Sequence, residues 1–269
     1  MKIGIISDIH VDISNKEDEK IEEILSDYLK EKEVEVLIIA GDISENYNTT
    51  IEVLRKIEEL SKSKVLFVPG NHDLWNIKNK ELETYNIYEK LKIFEGNLCD
   101  NPYELNEEYV VIGDVLWYDY SFADNSFSDE QLEMKMYMGR TWKDSQYIKW
   151  GKLDKIKNIE FIEKLKEQIS KYKNKKIILV THMITHPAFK VEYNDLWKYF
   201  NGFLGTDKLL PIIEDNNNIK YIIMGHVHYR REFKDGEKNY ICRCLNYRNE
   251  WESEDIKKEI KNTLKILDL

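Results

Sequence analysis

The chain has 269 residues, of which 42% are hydrophobic and 33% charged, and its formal net charge is -10. This length suits one large domain or two small ones, and the acidic balance argues against a surface that grips nucleic acid through many Lys and Arg side chains. No stretch approaches the ~20 apolar residues of a membrane helix, and three cysteines are too few for a disulfide framework. With no signal-peptide pattern before the first strand, we expect a cytoplasmic protein without a membrane partner.

The first 70 residues predict repeated strand–helix units. Buried strands are indicated at KIGIIS, VEVLIIA and KVLFVP. Helices are predicted between them, where apolar residues recur at helical spacing: Ile21, Ile24, Leu25, Tyr28 and Leu29, then Ile51, Leu54, Ile57 and Leu60. Such spacing implies parallel strands with crossover helices, and strands that are apolar throughout indicate a sheet covered on both faces.

Between about residues 95 and 175 the pattern changes. Strand-like EYVVIG and VLWYDYSF precede a polar, aromatic-rich stretch, MKMYMGRTWKDSQYIKWG. A long helix is predicted at about residues 152–173, with an apolar stripe of Leu153, Ile156, Ile159, Ile162 and Leu165. No linker or repeat divides the chain. We therefore favour a single domain over residues 1–269, with an aromatic-rich insertion or cap at about 95–175.

The last part of the chain returns to strands. KIILV and IKYIIM are buried runs, and DGEK predicts a hairpin between YRREFK and KNYICRCL. Alternation along the last of these strands places Cys242 and Cys244 on one face, as buried thiols.

The residues that follow the buried strands are the informative feature. Five apolar runs end in Asp, Asn or His: Asp8 and His10; Asp42; Asn71, His72 and Asp73; His182; His226 and His228. Five of the six histidines lie at these ends. In open α/β sheets this edge binds ligands, and Gly41, Gly70 and Gly225 would allow tight exits and close backbone approach. If the strands are neighbours, these side chains converge on one region.

Converging carboxylates and imidazoles need a compensating charge. Asp8, Asp42 and Asp73 brought together would repel one another or hold protons, and carboxylate with neutral imidazole suits first-row transition metals. The candidate ligands are seven: Asp8, His10, Asp42, Asn71, His182, His226 and His228. This set is too large for one ion and sufficient for two ions that share one carboxylate.

The blocks DIH (8–10), GD (41–42), GNHD (70–73), His182 and GHVH (225–228) resemble, in order and spacing, the five motifs of the calcineurin-like metallophosphoesterases. The resemblance spans residues 8–228, and within the superfamily the chain is similar to bacterial phosphoesterases of uncertain substrate. It implies an α/β fold, a four-layer αββα sandwich of two mixed β-sheets flanked by helices. The familiar GDxxD and GDxxR versions of the second block are absent, because GDISE places Glu45 three residues after Asp42, so a subfamily label from that block is unsafe.

The resemblance also implies roles for individual residues. The predicted ligands divide between two ions: Asp8, His10 and His228 on one, Asn71, His182 and His226 on the other, with Asp42 bridging. His72 matches the residue that contacts phosphoryl oxygens and can protonate the leaving oxygen, and Asp73 matches its orienting neighbour. We expect two divalent or mixed-valence ions, Mn first and Fe, Zn, Ni or Co as alternatives, because such sites accept several metals.

The implied activity is hydrolysis of phosphomonoester or phosphodiester bonds in small or medium-sized phosphate esters. Two ions ~3.5–4 Å apart clamp the phosphate and lower the pKa of a bridging water, and the resulting hydroxide attacks phosphorus in line with the leaving oxygen. A nuclease of the same superfamily and a metal-binding, non-catalytic scaffold are the alternatives. The acidic balance speaks against a nuclease, and scaffolds typically lack motif positions that this chain retains.

Residues outside the five blocks are candidates for shaping the substrate site. The middle region holds a dense aromatic set, which either stacks on the substrate from a cap or forms a satellite core: Trp117, Tyr118, Tyr120, Phe122, Tyr137, Trp142, Tyr147 and Trp150. Arg140 is a candidate phosphate contact, and His186 a candidate for the rim of the site. Tyr247, Arg248 and Trp251 follow the last block and are candidates for its neighbourhood. The choice between monoester and diester and the oligomeric state stay open.

Overall fold

The structure is a computed structural model that describes residues 1–75, 77, 82–192 and 194–269. Its strands are β1 Lys2–Ile6, β2 Val36–Ile39, β3 Lys64–Phe67, β4 Tyr103–Glu104, β5 Tyr109–Asp114, β6 Met136–Tyr137, β7 Arg140–Thr141, β8 Lys176–Thr181, β9 Ile219–Met224, β10 Arg230–Asp235, β11 Lys238–Arg243 and β12 Lys265–Asp268. Its α-helices are α1 Val11–Ser14, α2 Ile21–Lys32, α3 Tyr47–Ser61, α4 Asn71–Leu74, α5 Thr84–Leu91, α6 Asp129–Glu133, α7 Asp144–Tyr147, α8 Asp154–Lys171, α9 Asp195–Phe200, α10 Leu210–Asp215 and α11 Ile256–Thr263. Short 3₁₀ helices lie at Pro187–Phe189, Asn201–Phe203 and Arg248–Glu250.

Two sheets carry the fold. One has the strand order β12-β1-β2-β3 and the other β10-β11-β9-β8-β5-β4, while β6 and β7 form a separate hairpin. Strands β1, β2 and β3 pair in parallel, as do β5, β8, β9 and β11, whereas β12, β10 and β4 run antiparallel at the edges. Both sheets are therefore mixed, and the predicted parallel crossovers are confirmed.

Residues on successive positions of a strand enter different cores. Along β2, Ile38 faces the apolar core between the two sheets, and Leu37 and Ile39 belong to the core beneath the helices. The inner core draws on both sheets, through Ile5 and Leu66 on one side and residues of β8 and β9 on the other. The predicted fold, two mixed sheets flanked by helices, is confirmed, and the carboxyl ends of the parallel strands of both sheets lie at the same end of the sandwich.

The apolar stripe predicted for the long helix was wrong over its first half. Leu153, Ile156 and Ile159 are 58%, 47% and 55% exposed. The reason is Asp154, whose carboxylate accepts a hydrogen bond from Trp117 Nε1 and pairs with Lys135, so the first turns of α8 face inward with polar residues. Farther along, the buried face of α8 consists of Phe161, Ile162, Leu165 and Ile169.

The aromatic-rich region divides into core and loop. β5 and α8 belong to the six-stranded sheet and its covering layer, so only residues 115–153, which we call the inserted segment, leave the sheet. VLWYDYSF, predicted as a strand, is irregular because Leu116 (φ 60°) and Tyr120 (φ 71°) have left-handed backbones. Four of its aromatics are buried as core: Trp117, Tyr118, Tyr120 and Phe122.

Two smaller predictions for the last strands hold. β10 and β11 form the expected hairpin across Gly236, and Cys242 and Cys244 are buried with their Sγ atoms 3.5 Å apart. None of the helices in the described ranges has the length and apolar character needed to cross a membrane.

Candidate metal centre

The predicted strand-end residues come together from both sheets. Asp8, Asp42 and Asn71 follow β1, β2 and β3, and His182 and His226 follow β8 and β9. The Asp8 backbone N–H donates to Gly41 O at 2.9 Å, and the His226 N–H donates to the Asp8 carboxylate at 3.0 Å. The two sheets therefore deliver their side chains to one place.

The residues that carry these side chains have an uncommon backbone. Asp8, His10, Asp42, His226 and His228 all have positive φ, at 52°, 40°, 58°, 72° and 55°. This left-handed region is uncommon for residues with a Cβ and clusters at functional sites. The conformation directs each side chain sharply away from its strand and toward the other members of the group.

Glycine makes the close approach possible at two of these turns. A Cβ on Gly41, whose φ is +86°, would lie 2.5 Å from His182 Nδ1 and 2.6 Å from the Gly70 nitrogen. A Cβ on Gly70 would lie 2.1 Å from Asp42 Oδ1. The predicted role of these glycines in close packing at the strand exits is thus confirmed.

One group of donors consists of Asp8, His10 and His228, whose ligand atoms lie within 4.8 Å of one another. His228 Nδ1 is 2.7 Å from Glu250 Oε2, which leaves Nε2 facing Asp8 Oδ1 at 3.8 Å. Both ring nitrogens of His10 are buried without a hydrogen-bond partner among the described residues. Buried nitrogens of this kind require a partner, and a metal ion would provide one.

A second group consists of Asp42, His182 and His226, with Asn71 beside it. His182 Nδ1 contacts Ala40 O at 2.7 Å, so Nε2 faces Asn71 Oδ1 at 3.0 Å and Asp42 Oδ2 at 3.4 Å. His226 Nε2 contacts Phe203 O at 3.2 Å, which leaves Nδ1 for the site. In His182 and His226 one ring nitrogen is held by the protein and the other faces the group, as in metal-binding histidines.

Asp42 joins the two groups. Its Oδ2 lies 3.4 Å from His182 Nε2 and 3.8 Å from His10 Nε2, while Oδ1 accepts the His72 backbone N–H at 2.8 Å. One carboxylate oxygen thus stands between two sets of nitrogen and oxygen donors. This donor chemistry fits two divalent ions with a shared carboxylate.

The pKa shifts of the histidines in the second group also indicate a site for a cation. Burial lowers the pKa of His182, but the Asp42 and Asp8 carboxylates and the hydrogen bond to Ala40 O together outweigh burial and raise that pKa to about 10. Burial, together with the charge on His182, lowers the pKa of His226 to about 3. The positive charge that Asp42 draws onto His182 is the charge a divalent cation would supply in its place.

His72 lies at the edge of both groups. Its Nε2 is 3.4 Å from the Tyr247 hydroxyl, its Nδ1 is 3.5 Å from a Glu45 carboxylate oxygen, and its ring stacks on Trp75 at 3.7 Å. Burial lowers the pKa of His72, yet the carboxylates of Asp42, Glu45 and Asp144 together outweigh burial and raise that pKa above its usual value. His72 is thus suited to donate a proton.

Asp73 lies behind the site. Its carboxylate accepts hydrogen bonds from five groups: the backbone N–H of Asp42, Ile43, Ser44 and Gly70, and the Thr50 hydroxyl. Although burial and the neighbouring Asp42 charge raise the pKa of Asp73 to about 6, these donors favour its ionised form at neutral pH. Asp73 holds the turn that carries Asp42, whereas the carboxylate beside the His72 imidazole is that of Glu45.

Sequence reasoning missed Asp144, which is fully buried in the inserted segment. Its Oδ1 accepts hydrogen bonds from Asn71 Nδ2 at 2.9 Å and Trp75 Nε1 at 2.7 Å, and its Oδ2 accepts from Trp142 Nε1 at 2.9 Å. Because Asn71 Nδ2 points to Asp144, Asn71 Oδ1 points to His182. Glu250 was missed too, and its place three residues after Tyr247 was the only signal in the sequence.

Arg140 and His186, the predicted substrate contacts, lie outside the described lining of the cavity beside the donor groups. Arg140 is exposed on the β6–β7 hairpin. The His186 ring packs against Phe233 and Tyr240 at 4.7 and 4.9 Å, because its Nδ1 accepts the Ala188 N–H and fixes the ring there. Neither is among the described residues that line the cavity beside the donor groups.

Comparison with known proteins gives a family and several similar folds. A family profile described as calcineurin-like phosphoesterase matches residues 1–230. No curated protein matches the chain. A phosphopantetheinyl hydrolase from Mycobacterium tuberculosis has a similar structure, with a TM-score of 0.71 and 19% identity over 93% of this chain and 91% of that one. A dimetal phosphatase from Danio rerio gives 0.53 and 13% over 90% and 86%, and the protein TT1561 from Thermus thermophilus gives 0.53 and 10% over 99% and 98%. At these identities the likeness concerns the fold.

Proposed function

The chain belongs to the calcineurin-like phosphoesterase family, and we propose that it hydrolyses small or medium-sized phosphate esters at a centre of two metal ions. The observation that carries the proposal is the position of Asp42 Oδ2 between two groups of donors. The proposed ligands are Asp8, His10 and His228 for one ion and Asn71, His182 and His226 for the other, with Asp42 shared. When bound, two such ions supply Lewis acidity toward the phosphoryl oxygens and toward a water molecule.

The protein's own groups supply the rest of the proposed chemistry. His72 lines the cavity beside the donor groups, and its raised pKa leaves a proton available for a phosphoryl oxygen or the departing alkoxide. Glu45 and Tyr247 flank its two nitrogens and would hold the ring in place. Glu250 would fix His228 through Nδ1, so that Nε2 keeps its direction.

The alternatives differ in what the surface must provide. A nuclease needs several Lys and Arg along a groove, yet the described part of the cavity is lined by a single cation, Lys143. A scaffold without activity would need none of the side chains that contact the nitrogens of His72 and His228, which are Glu45, Tyr247 and Glu250. Both observations favour a hydrolase of small esters.

The direct test is metal analysis combined with an activity screen. Protein reconstituted separately with Mn²⁺, Fe²⁺, Zn²⁺, Ni²⁺ and Co²⁺ should bind two ions per chain and hydrolyse phosphomonoesters or phosphodiesters. Phosphate or alcohol release and elemental analysis are the measurements. Two bound ions with no turnover of any ester would favour the scaffold, and turnover confined to DNA or RNA the nuclease.

Asp144→Asn should lower kcat/KM by roughly 10- to 100-fold and weaken the ion nearer Asn71 by a similar factor, as loss of a group that orients a ligand does. The change places an NH₂ where three N–H donors now meet a carboxylate. At least one donor would lose its acceptor, and the Asn71 amide would no longer be held with Oδ1 toward His182. Metal affinity by titration and kcat/KM are the readouts.

Asp154→Asn is the matched control. Asp154 is also buried in contact with an indole N–H, from Trp117, and it pairs with Lys135. Its replacement should lower thermal stability without changing metal affinity. Equal metal affinity in the two variants would contradict the role given to Asp144.

A further inference from the structure

A cavity of about 570 Å³ opens beside the donor groups, a size typical of small-molecule sites. Asp42, Asn71 and His72 form part of its wall, and tryptophans and tyrosines form much of the remainder. A phosphoryl group placed at the donor groups would leave the alcohol part of the ester facing the aromatic wall. The composition of this wall therefore bears on which alcohol leaves.

Two of the indoles offer only carbon to a ligand. The N–H groups of Trp75 and Trp142 both donate to Asp144 within the protein, at 2.7 and 2.9 Å. Trp142 is held further by stacking on Phe203, at 5.5 Å between ring centroids. With their polar atoms occupied, these rings form a fixed apolar surface.

The rest of the lining is also poor in free polar groups. Val191, Leu204 and Val227 are aliphatic, and Trp197 is a third indole in the wall. Glu250 already contacts His228 at 2.7 Å. The Thr141 hydroxyl and the Trp197 N–H are among the few polar side-chain groups of this wall outside the donor groups. A sugar hydrogen-bonds through many hydroxyls, whereas a wall made mainly of indole and aliphatic carbon favours a flat apolar ring.

The charge of the lining residues also limits which leaving groups the cavity can accept. Lys143, at the exposed mouth, is the one Lys or Arg among the described lining residues. A leaving group with several phosphates would need more cations than this. An uncharged leaving group suits the wall best.

We propose that the cavity selects phosphate esters of aromatic alcohols, an inference that rests on the proposed function. The aromatic ring of the substrate packs against the indoles in offset or edge-to-face contact. Hydrolysis forms a bond from a water oxygen to phosphorus and breaks the bond from phosphorus to the alcohol oxygen, which takes up a proton. The products are the aromatic alcohol and phosphate, or a phosphate monoester if the substrate is a diester.

The test compares esters whose alcohols have similar acidity, so that binding and not leaving-group chemistry decides. Benzyl and 2-phenylethyl alcohols are compared with glycerol and glucose, each as its phosphate monoester and as its methyl phosphodiester. We expect kcat/KM to be roughly 10- to 100-fold higher for the aromatic esters, the range that apolar pockets reach. Benzylphosphonate should likewise inhibit more tightly than methylphosphonate, by about 10-fold.

Substitutions in the wall of the cavity test whether the preference for aromatic esters arises there. Trp197→Ala and Trp197→Gln should reduce the ratio of aromatic to glycerol kcat/KM by about 10-fold. The matched control is Trp251→Ala, since Trp251 is outside the described lining and its Nε1 donates to Asn246 O; it should leave the ratio unchanged. Circular dichroism checks that each variant is folded.

The outcomes separate the two proposals. No turnover of any ester by the metal-loaded protein overturns the proposed function. Turnover with equal or higher kcat/KM for glycerol and glucose esters overturns the aromatic preference alone. A preference that survives both Trp197 variants overturns its assignment to this wall.

Discussion

Asp42→Asn is expected to abolish measurable turnover, lowering kcat by roughly 10³-fold or more, as loss of a central catalytic group does. It should also reduce bound metal from two ions per chain to one or none. Oδ2 is the atom that lies between His10 and His182, at 3.8 and 3.4 Å. An amide NH₂ in that place cannot accept from or ligate anything, whereas the amide oxygen can still accept the His72 N–H.

The same variant should keep the fold. Asp42 has φ 58°, and Asn is among the few residues that adopt this left-handed conformation readily. Thermal unfolding monitored by circular dichroism should therefore shift little, while elemental analysis and kcat change strongly. Asp235→Asn, at the exposed last residue of β10, is the matched control and should retain both metal and activity. Two ions per chain in the Asp42→Asn protein would refute the bridging role.

The candidate ligands could be read from the sequence because parallel strands impose the geometry. A buried run must end at the edge of its sheet, and polar residues just beyond several such runs must then be close neighbours. The structure brings Asp8, Asp42 and His182 together for this reason. Spacing along the chain thus carried three-dimensional information without any long-range contact being known.

The surrounding groups could not be predicted in this way. Asp144 is 73 residues from Asn71 along the chain, and its position depends on an irregular segment with no periodic pattern. The irregular path of residues 115–122 could not be predicted either. Their composition indicates a strand, but Leu116 and Tyr120 have left-handed backbones that interrupt it. The inward turn of α8 depends on Asp154 and its partners, which outweigh the apolar stripe. Such contacts are set by tertiary packing and not by local propensity.

The backbone conformation of the site residues lowers the stability of the folded protein. Asp8, His10 and Asp42 in left-handed conformations each carry a conformational cost that the surrounding structure must offset. Asp73 contributes to that offset, because its carboxylate accepts the N–H groups of the turn after β2. The strained backbone at Asp42 and the hydrogen bonds to Asp73 that stabilise it are therefore adjacent in the fold, as expected at a functional site.

His72→Ala is expected to lower kcat by roughly 10²- to 10⁴-fold, the usual contribution of a general acid, while both metal ions stay bound. The alternative is that His72 is itself a ligand, since it lies with His10 and Asp42 within 4.8 Å. Its nitrogens, however, face Tyr247 and Glu45, and its ring is held by the stack on Trp75. Elemental analysis decides between the two roles, because loss of an ion would make His72 a ligand.

The pH profile gives an independent measure of the same residue. The pKa of His72 is raised above its usual value against the effect of burial, by the carboxylates of Asp42, Glu45 and Asp144. If its proton is needed, activity should fall as pH rises through that raised pKa, and Glu45→Gln should move the fall to lower pH by removing one of the charges. His186→Ala is the matched control, because His186 packs between Phe233 and Tyr240. Its pH profile should follow the unmodified protein, whereas an altered KM would support the prediction that His186 contacts the substrate at the rim of the site.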